Sequence, residues 1–156
     1  MEFLHNVYRI TKSKYADDLS GIGAFKVGGR WNSKGSQMLY TSSSISLSVI
    51  ENLVHLTFHH VPSDMMIVKI SIPTDSISFI ERASLNGIWN KFPFEKYTQK
   101  IGDQWLFSQE SLVLVVPSAV NIYEYNYLIN PHHPKFKEVK IEEIIPFDFD
   151  SRLILK

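Results

Sequence analysis

The groups in this chain best suited to chemistry are one glutamate, two arginines and one serine. Glu51 lies in the pattern Leu47, Ile50, Val54, Phe58, which on a helical wheel forms one apolar stripe with the carboxylate at its edge, beside Leu47 and Phe58. An isolated carboxylate is expensive to desolvate, so Glu51 requires a partner. Arg30 stands in Gly28-Gly29-Arg30-Trp31-Asn32. Glycines let backbone approach a ligand closely, and a guanidinium forks onto phosphate or carboxylate. Arg9, in Tyr8-Arg9-Ile10, is a second such cation. Residue type alone leaves two readings open for the arginines: surface charges or structural partners of Glu51, or contacts to a ligand. Ser118 follows a strand-like run in Val115-Val116-Pro117-Ser118-Ala119. It fits a turn cap or a cleft hydroxyl, and without a G-x-S-x-G elbow or an adjacent base a hydrogen-bonding role suits it better than a nucleophilic one.

Other spacings are weaker. His55 and His59 are one helical turn apart, His60 follows, and His132-His133 form a second cluster. The helix lacks the glutamate of an H-E-x-x-H site and the chain has no thiolate, so no metal site is assigned. Gly21, Gly23 and Gly28 match neither a dinucleotide fingerprint nor a P-loop and read as a mobile loop. Tyr40, Trp31, Trp89 and Trp105 are large enough to stack on a flat ring, or to fill a core.

The elements that must position these residues follow from patterning. Residues 20–36 hold five glycines and predict a loop with little helix. Residues 38–41 read as a strand. Ser42, Ser43 and Ser44 offer N-caps for a helix over 44–59. Residues 65–72 and 111–116 are aliphatic runs ending at prolines, as buried strands do. Residues 76–80, 123–128 and 138–143 are further strand candidates, while 93–100 and 103–108 read as short helical pieces separated by Gly102. Strands outnumber helices without βαβ alternation, which predicts an α+β fold of mostly antiparallel sheets with flanking helices.

Composition narrows the function. The 156 residues, with no cysteine and no internal repeat, predict one domain over 1–156 that needs neither metal nor disulfide to form a core. Sixteen Lys and Arg balance sixteen Asp and Glu. No net field draws the chain to nucleic acid or to a membrane surface. No apolar run approaches the roughly 18 residues of a membrane span, and the N-terminus has no signal-peptide pattern, which predicts a cytoplasmic protein.

Taken in order, the motifs resemble a known family. Tyr8-Arg9-Ile10, Gly28-Gly29-Arg30-Trp31-Asn32, Leu39-Tyr40-Thr41, the helix carrying Glu51, Gly102-Asp103-Gln104-Trp105-Leu106, Val116-Pro117-Ser118-Ala119, and residues 126–131 with His133-Pro134 after them span nearly the whole chain. Together they are similar to the RES-domain toxins of bacterial toxin–antitoxin pairs, named for an arginine, a glutamate and a serine. Those three fall on Arg30, Glu51 and Ser118, with Arg9 and Tyr40 on further pocket positions. The resemblance implies a fold similar to ADP-ribosyltransferase toxins and an activity on NAD as substrate: cleavage of the nicotinamide glycosidic bond by water or phosphate, or transfer of ADP-ribose to a protein. On this reading Arg9 and Arg30 grip the pyrophosphate or ribose, Tyr40 borders the nicotinamide, and Ser118 bonds the amide or the glutamate. It further implies a cognate Xre-family helix-turn-helix antitoxin as partner, and a second copy of the chain is another candidate partner. The rivals are a non-catalytic NAD-binding module and a metal-dependent hydrolase.

Overall fold

The computed structural model describes residues 3–56 and 62–154. Seven strands form one sheet: β1 Leu4–Lys12, β2 Leu39–Ser42, β3 Met65–Pro73, β4 Ile77–Phe79, β5 Val113–Pro117, β6 Tyr125–Ile129 and β7 Lys140–Phe147. Their order across the sheet is β4-β5-β6-β2-β1-β3-β7, with β4 and β5 parallel and every other pair antiparallel. Three helices accompany it: α1 Ile22–Val27, α2 Ile45–Leu53 and α3 Lys96–Ser108. This is the α+β, mostly antiparallel architecture that the patterning predicts.

β5 is buried along its whole length because both faces of the sheet are covered there. Its alternate residues feed different cores. Val113 and Val115 pack with Val7, Val68, Ile70, Ile72 and Ile129. Leu114 and Val116 pack with Trp31, Met38, Trp89, Trp105 and Leu128. A third cluster sets Ile10, Met65 and Ile67 against Val49, Leu53 and Leu56. It seats α2 on the sheet.

One junction in the sheet is almost open. β1 pairs with β3 over its whole length, yet it meets β2 at the single register position Tyr8↔Ser42. Beyond that point the two strands part, and Arg9, Ile10 and Thr11 on one side and Leu39, Tyr40 and Thr41 on the other border a cleft of about 1210 Å³. The 20–36 segment joins the parted ends.

Several expectations need correction. β1 carries no patterning strong enough to announce a strand, and pairing with β3 defines it. A short helix, α1, forms inside the glycine-rich segment. The segment is also not loose: Asn32 is fully buried and its Nδ2 donates to the carbonyls of Ala24, Ser33 and Ser36. α3 runs unbroken through Gly102, whose missing side chain admits the backbone of Trp31 rather than ending the helix. α2 is capped by Ser44, whose Oγ accepts from the Leu47 N–H at 3.1 Å, but it ends at Leu53, and Phe58, His59 and His60 lie outside the described residues. Its apolar face follows the 47/50/54 stripe only in part, at Leu47, which is fully buried. Val54 is exposed, and Val49, Leu53 and Leu56 make the core contact.

Candidate active site

The polar face of α2 explains that rotation. Ser48, Glu51 and Asn52 of α2, with His55 just past its end, line the cleft and form one of its walls. A polar helix face usually meets solvent; here it meets a cavity. Facing it are Arg9 from β1, Tyr40 and Ser42 from β2, the glycine-rich segment with Arg30, the 90–94 segment with Phe92 and Phe94, and Asn126 from β6.

Glu51 is the best-held group in the cleft. Its Oε1 accepts from Ser118 Oγ at 2.7 Å and from Asn126 Nδ2 at 2.7 Å. Among the described residues Oε2 has no hydrogen-bond partner, and the described ion pairs, Lys135–Asp75 and Arg152–Asp150, lie elsewhere. Of the readings open at the outset, the ion pair with Arg9 or Arg30 is therefore not formed. The partners of Glu51 are a hydroxyl and an amide. Ser118 is fully buried, stands outside the cleft lining, and receives the N–H groups of Val120 and Asn121 on its Oγ. It is both turn cap and support for the glutamate, so Ser118 stands behind Glu51 rather than on the cleft surface.

Arg30 is placed by a web of loop contacts. Its Nη1 donates to the carbonyls of Trp89 at 2.8 Å and Lys91 at 2.9 Å, and its guanidinium carbon lies 5.8 Å from the Phe94 ring centre. Burial lowers its pKa, and the charge of the Glu51 carboxylate opposes that shift. Arginine stays charged through such shifts. Arg9 Nη1 donates to the Asp18 carbonyl at 2.7 Å; burial lowers its pKa and the Asp18 charge counters it. Each arginine thus spends one nitrogen on the backbone and keeps a charged fork at the cleft wall.

Tyr40 ties the Arg30 loop together. Its hydroxyl donates to Asn32 Oδ1 at 2.7 Å and accepts from the Trp31 N–H at 3.0 Å. Burial pushes the phenol well above its ordinary pKa, so it remains a donor. The ring borders the cleft while the hydroxyl is committed to the loop. A Cβ on Gly29 would lie 2.6 Å from that hydroxyl, so only glycine lets the contact form. α3 braces the loop from behind: Gln99 Nε2 donates to the carbonyls of Gly29 and Asn32, and the Asp103 carboxylate accepts from the N–H and Oγ of Ser33. Trp31 and Trp89, 6.5 Å apart, are core, as is Trp105.

Among the described residues the histidines do not converge, and His59 and His60 lie outside them. His55 is on the cleft wall, His132 Nε2 bonds Gln37, and His133 Nδ1 accepts from the Lys135 N–H. Among the described residues no group of three or more His, Cys, Asp or Glu is placed to hold a metal ion, and no helix is long and apolar enough to cross a membrane.

Asn126, Ser42 and Gln99 are residues to which the sequence assigned no role at the site. Ser42 and Asn126 become partners only through the β2–β6 register, which sets them opposite each other. Gln99 carries no sequence signal beyond its spacing from Asp103, one helical turn on.

The RES domain model matches residues 6–150. This chain belongs to the RES domain family. It is 37% identical over 144 residues to the Prs ADP-ribosylating toxin of Sphingobium sp. strain YBL2, covering 90% of this chain and 89% of that protein. It is also 37% identical over 150 residues to Toxin Res of Photorhabdus laumondii, covering 95% and 96% of the two chains. Toxin Res of Yersinia enterocolitica is 36% identical over 149 residues, with 94% and 98% covered. A chain in the crystal structure of the M. tuberculosis MbcT–MbcA toxin–antitoxin complex shares the fold, with a TM-score of 0.75 at 16% identity over 95% of this RES domain chain and 86% of that one.

Proposed function

We propose that this RES domain protein is the toxin of a toxin–antitoxin pair and breaks the bond between nicotinamide and ribose in NAD, with water or phosphate as acceptor. The observation that carries the reading is the Glu51 carboxylate, fixed through one oxygen on a cleft wall with two arginines on the facing walls. As the glycosidic bond breaks, its electron pair leaves with nicotinamide, neutralising the pyridinium, and positive charge grows on the ribose carbon. A preorganised negative charge in a partly desolvated site stabilises that change. The pyridinium ring of NAD is already cationic and departs as neutral nicotinamide, so no general acid is needed to expel it. The acceptor oxygen then bonds the ribose carbon; with water as acceptor it sheds a proton. Arg9 and Arg30 are suited to the pyrophosphate, whose oxygens match a guanidinium fork, and the Tyr40 ring to the edge of the nicotinamide. The cleft is roomy enough for a dinucleotide, being above the usual range for small-ligand pockets, roughly 300–1,000 Å³.

Transfer of ADP-ribose to a protein uses the same bond cleavage, and the name of the Sphingobium relative favours it as the second reading. The partner under both readings is a cognate antitoxin, in keeping with the toxin–antitoxin complex that shares the fold; an Xre-type helix-turn-helix protein would supply the DNA contact that a chain without net charge lacks.

The purified chain incubated with labelled NAD, with and without phosphate, decides among acceptors. Free nicotinamide with ADP-ribose or its phosphorylated form supports hydrolysis or phosphorolysis, label on protein supports transfer, and unchanged NAD sinks both. Glu51→Gln keeps the shape and removes the charge; it should slow NAD loss by about 100-fold or more, the scale of one major electrostatic stabiliser. Turnover near wild type in that variant refutes the role of the carboxylate.

A further inference from the structure

The network behind Glu51 runs in one direction. Ser42 Oγ donates to Asn126 Oδ1 at 2.8 Å, and Asn126 Nδ2 donates to Glu51 Oε1 at 2.7 Å. A carboxylate can only accept, so the amide must offer its nitrogen to Glu51 and its oxygen to Ser42, and the serine must then be the donor. Ser42 is buried, and it stands opposite Asn126 in the β2–β6 register, so backbone pairing fixes both ends of the relay before any ligand arrives. Ser118 donates to the same glutamate oxygen from the end of β5. Two donors on Oε1 pin the carboxylate from the sheet side, and Oε2 is left to whatever enters the cleft.

Resting on the proposed action on NAD, we propose that Asn126 is a positioning residue for Glu51, oriented by Ser42, which holds Oε1 on the sheet side and presents Oε2 to the ribose. Misplacing a reacting group by about 1 Å can cost on the order of 100-fold in rate, which sets the scale for losing such a lock.

The discriminating variant is Asn126→Asp, which puts a second carboxyl group against the first at hydrogen-bond distance. Two carboxylates that close share a proton, and the apparent pKa of the pair rises. The acid limb of the kcat profile for NAD loss should move up by about one pH unit or more, with kcat at neutral pH reduced about 10-fold or more and KM changed much less. Ser42→Ala removes the donor that orients the amide while leaving the amide in place; kcat should fall several-fold with an unchanged acid limb. Thermal melting of each variant separates this from unfolding. A limb superposed on the wild-type one in folded Asn126→Asp, with kcat retained in both variants, overturns the assignment. A readout independent of turnover is carbon-13 NMR titration of the Glu51 side-chain carboxyl. Its midpoint should rise in Asn126→Asp, and superposed titrations refute the role. If the wild-type protein leaves NAD intact, the proposed reaction fails and the NMR titration alone decides the role of Asn126.

Discussion

Replacing Gly102 by alanine tests whether α3 sets the position of the Arg30 loop. In the middle of an exposed helix this change would stabilise by about 1 kcal/mol, because alanine is the better helix former. Here a Cβ would lie 1.7 Å from the Trp31 carbonyl oxygen and 2.7 Å from its carbonyl carbon. Backbone rather than a flexible side chain is in the way, so helix and loop must separate by about 1.7 Å to restore the 3.4 Å of an ordinary contact. Overpacking typically costs about 1–3 kcal/mol, occasionally more, and separation also strains the Gln99 and Asp103 bonds to the loop. The net expectation is a loss of about 2 kcal/mol, read as a drop of about 4–8 °C in Tm for a chain of this size. Because Arg30 rides on the displaced loop, NAD consumption should fall by a further 10- to 100-fold or so in protein that is still folded. Gly23→Ala is the matched control: nothing lies within 4 Å of its Cβ, and its Tm should hold or rise. Differential scanning calorimetry and an NAD assay on both variants settle the matter. A Gly102→Ala protein melting at or above wild type would refute the reasoning.

Two further outcomes follow from the site. Arg30→Lys should weaken NAD binding about 10-fold or more, because a point ammonium cannot bridge the Trp89 and Lys91 carbonyls and still offer a fork to the ligand; titration calorimetry in the Glu51→Gln background reads binding without turnover, and normal affinity would exclude the forked contact. Tyr40→Phe leaves Asn32 Oδ1 and the Trp31 N–H without their partner and should cost about 1–3 kcal/mol at neutral pH. Tyr40 has a folded pKa raised by burial, so its contribution is complete below the unfolded phenol value of about 10 and is lost as pH rises beyond it toward the folded value. Wild-type stability should therefore decline above about pH 10, Tyr127 adding to the slope since burial raises its pKa too, and Tyr40→Phe should flatten that decline; equal alkaline slopes in the two proteins would show that the Tyr40 shift is absent.

The sequence by itself determined the element types where packing agrees with local pattern. β5 is apolar on both faces because both are covered, β3 is apolar but for Lys69 and Ser71, and prolines mark the ends of both, so their strand character was legible without any partner. The motif order likewise pointed to Arg30, Glu51 and Ser118, and the α+β class followed from the succession of strands. What only the tertiary structure decided is how strands and helices use one another. β1 exists by pairing with β3, and the cleft exists because β1 and β2 meet at one residue pair and then part; neither is a property of a local window. Gly102 reads as a helix breaker in isolation and is a point of helix–loop contact in the fold, since the reason for a missing Cβ lies 71 residues away at Trp31. The helix wheel placed Leu47 inside but misjudged Val54, because polarity alone cannot separate a face turned to the core from one turned to a cavity. Asn126 stood in a family motif and Ser42 was only a candidate cap, and nothing in sequence joined them: an asparagine on one strand and a serine on another become a hydrogen-bonded relay to Glu51 only when the register sets them face to face.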